Sequence, residues 1–163
     1  MNKIEIKTEI GVSEMFEFTI NNNYKTIRGV IAVLFSLASA AGLVFYWNQF
    51  SGWQKALMLF FALMFTVIEP IEYYLRSKRQ VKKNFTVPLS YVFDENGIEI
   101  RRNDEMAHND WQEVMKVIST KKLVIIYLSP VRAFILPKKD IGDSYQSLKS
   151  LMEDNTSCYK FKM

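Results

Sequence analysis

Polar and apolar positions change rhythm several times along the chain, and each rhythm predicts a different element. Ile4 and Ile6 alternate with Glu5, Lys7 and Glu9, the two-residue period of a half-buried strand. Gly11 ends that pattern and Ser13 is placed to cap a helix. Val12, Met15, Phe16, Thr19, Ile20, Tyr24 and Ile27 then recur at helical spacing. Such a stripe describes an amphipathic helix, lying on a membrane surface or packed on a soluble domain, with a kink or break expected at Asn21, Asn22 and Asn23. From Gly29 to Ser51 no charged residue occurs, and a helix needs about 20 mostly apolar residues to cross a bilayer. A second apolar segment, from Trp53 to Leu75, reaches that length with Lys55 and Glu72 near its ends, where long side chains extend to water. Asn48 to Gly52 form the short connection.

Beyond Arg76 the rhythm becomes that of strands. Phe85, Val87, Leu89, Tyr91 and Phe93 alternate with small or polar residues, and Asp94 to Gly97 is a hairpin turn. Return strands are expected from Ile98 to Arg102, Met106 to Trp111, Val114 to Thr120, Leu123 to Leu128 and Val131 to Leu136, with a turn over Asn103 to Glu105. Even spacing of this kind suggests an antiparallel meander. A helix follows Pro137, with Asp143 as its cap, Gln146 at the reciprocal capping-box position, and Tyr145, Leu148, Leu151 and Met152 as its apolar stripe. Residues 155–163 show no clear pattern.

The expected fold is therefore a membrane α+β protein: a transmembrane helical hairpin followed by an antiparallel β domain closed by one helix, the outline of a PH-like or GRAM-like barrel. The division is 1–24 for the N-terminal strand and amphipathic helix, 25–80 for the hairpin, and 81–163 for the β domain. A mean hydropathy of -0.03 conceals this division, because an apolar third lies between two polar flanks. Lys25 and Arg28 precede the hairpin, and Arg76, Lys78, Arg79, Lys82 and Lys83 follow it, while the connection offers only Lys55. The positive-inside rule then places both termini in the cytoplasm. The first apolar run is too long and too far into the chain for a cleavable leader, and reads as a retained signal-anchor.

Several short motifs, taken in order, extend this outline. They are Ser13-Glu-Met-Phe-Glu-Phe18, Asn23-Tyr24, Pro70 with Tyr73-Tyr74, Pro88-Leu-Ser-Tyr-Val-Phe93, Asn96-Gly-Ile98, Trp111, Ile125-Ile-Tyr127 and Ala133-Phe-Ile-Leu-Pro-Lys138. In this order and spacing the chain resembles the YcxB-like family of small bacterial membrane proteins. That resemblance implies a cytoplasmic PH-like domain on a membrane hairpin, and it carries no particular activity with it, because the family's role is poorly defined.

Chemistry narrows the reading further. One histidine, His108, and one cysteine, Cys158, leave little for a metal centre, an intramolecular disulfide or a nucleophilic triad. There is no Gly-rich phosphate loop. The net charge of +4 is concentrated beside the apolar segments, which argues against nucleic acid as a partner. No cofactor is implied. The basic run Arg76, Lys78, Arg79, Lys82 and Lys83 either contacts anionic headgroups or serves topology alone. Glu69, beside Pro70, is an acid at membrane depth and a functional candidate for that reason. Pro70 should also release the carbonyl of Thr66. Trp111 lines a groove or fills the core. Lys138 and Lys139 end the last strand, where they are exposed or touch phosphate. His108 is expected on a surface turn. The functional expectation is a non-enzymatic module at the inner leaflet of a bacterial cell membrane that binds anionic lipid or a protein partner. The alternative is an accessory or immunity-type protein acting through its hairpin, where Ser36, Ala38, Ser39, Ala40, Ala41 and Gly42 permit close helix approach. The same small residues would equally serve the contact between the two hairpin helices.

Overall fold

The structure is a computed structural model and describes residues 3–103, 105–158 and 160–163. Met1 and Asn2 of the first alternating stretch, Asp104 of the second expected turn and Tyr159 of the tail lie outside the described residues. The chain forms two compact units. One combines residues up to Phe18 with those from Gln80 onward; the other is Thr19–Arg79.

The first unit is α+β with two four-stranded sheets. Its N-terminal strand β1 (Ile4–Thr8) pairs antiparallel with β2 (Leu89–Asp94), placing Ile6 opposite Tyr91. β3 (Gly97–Arg102) and β4 (Glu105–Asp110) complete this sheet, all antiparallel. The second sheet has the order β7-β6-β5-β8, built from β5 (Lys116–Ser119), β6 (Leu123–Tyr127), β7 (Ala133–Pro137) and β8 (Lys160–Lys162). β8 runs parallel to β5, so the tail without a visible pattern supplies an edge strand.

The single meander is thus corrected to two sheets, and the division falls at a 3-10 turn over Trp111–Glu113. Trp111 is not the last residue of a strand, because β4 ends at Asp110. It is 5% exposed, stacks on Phe93 at 6.3 Å and donates its indole N–H to the Asp94 carbonyl at 2.8 Å. Burying that ring turns the chain away from β4, and β5 pairs with β6 instead. Strand limits shift for similar local reasons. β2 begins after Pro88, which has no N–H to give a ladder. β7 begins at Ala133 because Leu128 and Ser129 close a turn onto the Arg132 carbonyl, leaving Val131 at its exposed tip.

β6 explains why its sequence is continuously apolar: all five of its residues are buried. Val124 and Ile126 join a core with Ile6, Phe93, Leu136, Leu148 and Met152. Leu123, Ile125 and Tyr127 face a second cluster with Ile10 and Met15, against which Phe18, Val81 and Phe85 pack. Helix α1 (Val12–Tyr24) therefore directs the start of its stripe onto the sheet, which decides between the two expected partners for that part. It starts two residues earlier than a Ser13 cap would give, with Met15 N–H on the Gly11 carbonyl, and it is unbroken through the three asparagines. Ser13 does not cap it but accepts from Lys122 Nζ at 2.6 Å. Glu17 accepts from the Lys122 N–H at 2.9 Å, and Glu14 pairs with Lys139 at 3.3 Å.

After β7 the chain makes a short helix α5 (Lys138–Ile141) and a 3-10 turn over Gly142–Ser144 before α6 (Tyr145–Asn155). The expected Asp143 cap is not formed. Gly142 takes a φ of 52°, open to glycine, and the preceding 3-10 turn supplies the Tyr145 N–H with the Gly142 carbonyl. No side chain caps α6.

The second unit contains α2 (Ile27–Phe45) and a continuous helix from Gly52 to Asn84, which begins as α3 (Gly52–Leu63), passes through a π-helical turn at Met64–Ile68 and continues as α4 (Glu69–Asn84) into the first unit. Both are long and apolar enough to cross a membrane, with hydropathies of 2.0 and 1.7. The second helix continues through the basic run, beyond the Leu75 limit of the expected apolar segment. Thr26 caps α2 by accepting from the Gly29 N–H, and Gln54 Oε1 accepts from both the N–H and the hydroxyl of Ser51 at the start of α3. Ser36, Ser39 and Leu43 are the buried face of α2. Phe35 meets Phe61 edge-on at 5.3 Å, and the Ser36 hydroxyl donates to the Ala62 carbonyl. The small residues Ser36 and Ser39 are thus used within the hairpin.

Candidate functional site

Helical continuation of α4 decides how the basic run is displayed. At ~100° per residue, Arg76, Lys78, Arg79, Lys82 and Lys83 fall within an arc of ~160°. All five are exposed. Ser77, on the other side of the helix, is fully buried, its hydroxyl 3.4 Å from that of Thr19. None of the five basic side chains forms an ion pair among the described residues. Lys82 and Lys83 lie in the last turn, where the helix dipole favours cations.

Glu69 sits where the π-helical turn meets Pro70, and the backbone accounts for its surroundings. The Glu69 N–H bonds to the Met64 carbonyl, five residues back. Pro70 has no N–H. The Phe65 carbonyl therefore loses both of the donors that an α or π register would give it. The Phe65 carbonyl, next to the Thr66 carbonyl expected to be released by Pro70, is taken by the Tyr24 hydroxyl, which donates to it at 2.7 Å. Tyr24 meets Tyr73 edge-on at 5.9 Å, and the Tyr73 hydroxyl donates to Glu69 Oε2 at 3.3 Å. Glu69, Tyr24 and Tyr73 line an open cleft of about 670 Å³ that also takes in Thr26, Arg28 and Gly29 from the start of α2. Gly29 is required by shape: a Cβ there would lie 2.4 Å from the Asn23 carbonyl oxygen. Arg28 was legible in sequence as a flanking cation and Tyr24 as part of an amphipathic stripe and a family motif, but their place beside Glu69 depends on the hairpin register.

The remaining candidates have structural uses. Trp111 is a core residue that closes the β2–β3 turn. Lys138 donates to the Thr120 carbonyl at 2.7 Å and Lys139 pairs with Glu14, so both bind the sheet to its coverings. His108 lies on β4, not on a turn, exposed and 3.2 Å from Asp110. No group of three or more potential metal ligands occurs among the described residues.

Residues 93–152 match the family described as YcxB-like protein. That range runs from the end of β2 into α6 and contains the motifs around Asn96-Gly-Ile98, Trp111, Ile125-Ile-Tyr127 and Ala133 to Lys138. The resemblance read from motif order is thereby shown between residues 93 and 152, while the motifs before Phe93, β1 and β8 lie outside the match. No curated protein and no solved structure matches the chain.

Proposed function

We propose that this chain is a non-enzymatic membrane module, anchored by the α2–α4 hairpin and binding anionic lipid headgroups through the basic face of α4. The observation that carries this reading is the display, on one helix face, of five exposed cations with no ion pair among the described residues, directly after a segment apolar enough to span. Cations beside an anionic leaflet contribute roughly 1 kcal/mol each. The exposure of large apolar side chains along the hairpin supports insertion: Ile27 is 80% exposed, Phe45 79% and Trp53 68%. Such a surface is unfavourable in water and favourable in lipid. In this reading both termini are cytoplasmic, and the two sheets with α6 constitute a PH-like domain at the inner leaflet of a bacterial cell membrane. The same domain offers surfaces to a protein partner. The alternative of an accessory or immunity-type protein acting through small hairpin residues draws less support, since Ser36 and Ser39 face α3.

The test uses the full chain, because a fragment starting at Arg76 would lose β1 and the Met15 contact with the sheet. In nonionic detergent, phosphatidylglycerol is expected to be retained over phosphatidylcholine of the same acyl chains, as counted by native mass spectrometry. The preference should disappear in an Arg76, Lys78, Arg79, Lys82 and Lys83→Gln variant. It should also weaken with salt as the Debye length falls from ~10 Å at 0.1 M to ~3 Å at 1 M. Equal retention of the two lipids would remove the anionic-lipid reading and leave a protein partner as the function.

A further inference from the structure

The cleft at Glu69 has a charge pattern that the basic face of α4 leaves unused. Arg28 and Glu69 line the same cleft, one on α2 and the other on α4. They form no ion pair with each other, so their charged atoms lie farther apart than the 4.0 Å of such a contact. The cleft that both line has a volume of about 670 Å³, within the ~300–1,000 Å³ typical of small-ligand sites. The carboxylate side carries the rings of Tyr24 and Tyr73, and aromatic faces attract cations. Ile27, Ala32 and Phe65 add apolar surface to the lining, with Ile27 largely exposed.

We propose that this cleft binds a zwitterionic phospholipid headgroup bearing a primary ammonium, with the phosphate toward Arg28, the ammonium toward Glu69 and an acyl chain along Ile27. The inference rests on the membrane reading of the hairpin. The formal charges of Arg28 and Glu69 cancel, as do those of the ligand. An anionic headgroup would satisfy Arg28 but oppose Glu69; a simple cation would do the reverse. A primary ammonium donates hydrogen bonds to a carboxylate, and a charge-assisted bond of this kind is stronger than a neutral one. The quaternary ammonium of phosphatidylcholine has no N–H to give.

The full chain in nonionic detergent is mixed with equal amounts of phosphatidylethanolamine, phosphatidylglycerol and phosphatidylcholine of identical acyl chains, and retained lipid is counted by native mass spectrometry. Phosphatidylethanolamine is expected to be retained roughly tenfold over phosphatidylcholine, the size of one charge-assisted hydrogen bond. Glu69→Gln should abolish that preference without reducing phosphatidylglycerol, whereas Arg28→Gln should lower phosphatidylethanolamine directly. Tyr73→Phe removes only the hydroxyl on Glu69 and should give an intermediate loss, which keeps the test valid should Glu69→Gln lower the melting temperature. The five-fold Gln variant of α4 should keep phosphatidylethanolamine while losing phosphatidylglycerol, so the two sites fail separately. Equal retention of phosphatidylethanolamine and phosphatidylcholine, or an unchanged preference in both Glu69→Gln and Tyr73→Phe, would overturn the proposal. Equally effective competition by glycerophosphoethanolamine, which has no acyl chains, would overturn its assignment to lipid. Failure of the membrane reading itself is visible elsewhere: the chain would then be recovered without detergent from lysed cells.

Discussion

Trp111, where the chain leaves the first sheet for the second, is held on β2 by one ring contact and one hydrogen bond. Its indole N–H satisfies the Asp94 carbonyl, at the turn between β2 and β3. Trp111→Phe keeps an aromatic ring but leaves that carbonyl without its donor. A loss of about 1 kcal/mol in unfolding free energy is expected, the net worth of a partly buried hydrogen bond. Thermal or denaturant unfolding of the purified protein checks it, and a loss below about 0.5 kcal/mol would mean that water replaces the indole. Glu14 gives a pH-dependent counterpart on α1. Burial acts to raise its pKa, but hydrogen bonds from its own and the Gly11 backbone, together with Lys139, outweigh burial and hold it below its ordinary 4.5. The charged form is therefore favoured in the folded chain. Its contribution is present above the unfolded pKa and is lost as pH falls through the lowered folded value. Acidification below about pH 4.5 should destabilise the wild type more than Glu14→Gln, as read from melting temperatures at neutral and acid pH. Parallel pH curves would place the acid sensitivity on another group.

At the scale of elements, β1 is the simplest to test. Ile6 and Thr8 are almost completely buried, and all five residues of β1 are in register with β2. Removing residues 1–10 opens that edge and also deletes Ile10 from the second cluster. Limited proteolysis should then cut β2 and β3 faster than in the whole chain; equal rates would mean that the sheet holds without its first strand. β1 was legible because alternation is a local signal that needs no knowledge of the partner strand. The same is true of the hairpin helices, whose apolar runs declare themselves residue by residue. What stayed hidden depends on pairing between distant segments. Trp111 reads equally as a strand residue until Phe93 and Asp94 are placed beside it. β8 is three residues long, and Lys-Phe-Lys carries too little pattern to signal a parallel pairing with β5. The π-helical turn was visible only as a proline, and a one-residue change of register decides which carbonyl is released. The basic run was legible as composition, but its single face required helix α4 to continue to Asn84. Arg28 and Glu69 lie 41 residues apart in the chain, so their shared cleft could not be read from either neighbourhood.

For the molecule as a whole, the lipid proposals depend on which side of a membrane each surface meets. Lys25 and Arg28 stand before the first apolar helix, and five cations follow the second. If the hairpin spans, the positive-inside rule puts both charged flanks in the cytoplasm and the Tyr46–Ser51 connection outside. Site-specific labelling can separate the two faces, starting from a Cys158→Ser background so that the natural thiol is silent. Gln49 is exposed in the connection, and Glu95 is exposed in the β2–β3 turn. Both are better positions for cysteine than Ser51, whose hydroxyl and N–H engage Gln54, or Asn103, whose φ of 52° strains most side chains. In intact cells an impermeant maleimide should label Gln49→Cys, while Glu95→Cys should react only after the membrane is permeabilised. The reverse pattern would place the basic face of α4 and the Arg28 flank outside, away from the inner leaflet. Labelling of both positions in intact cells would show that the hairpin does not cross, and the exposed apolar faces of α2 and α3 would then need a protein partner to cover them.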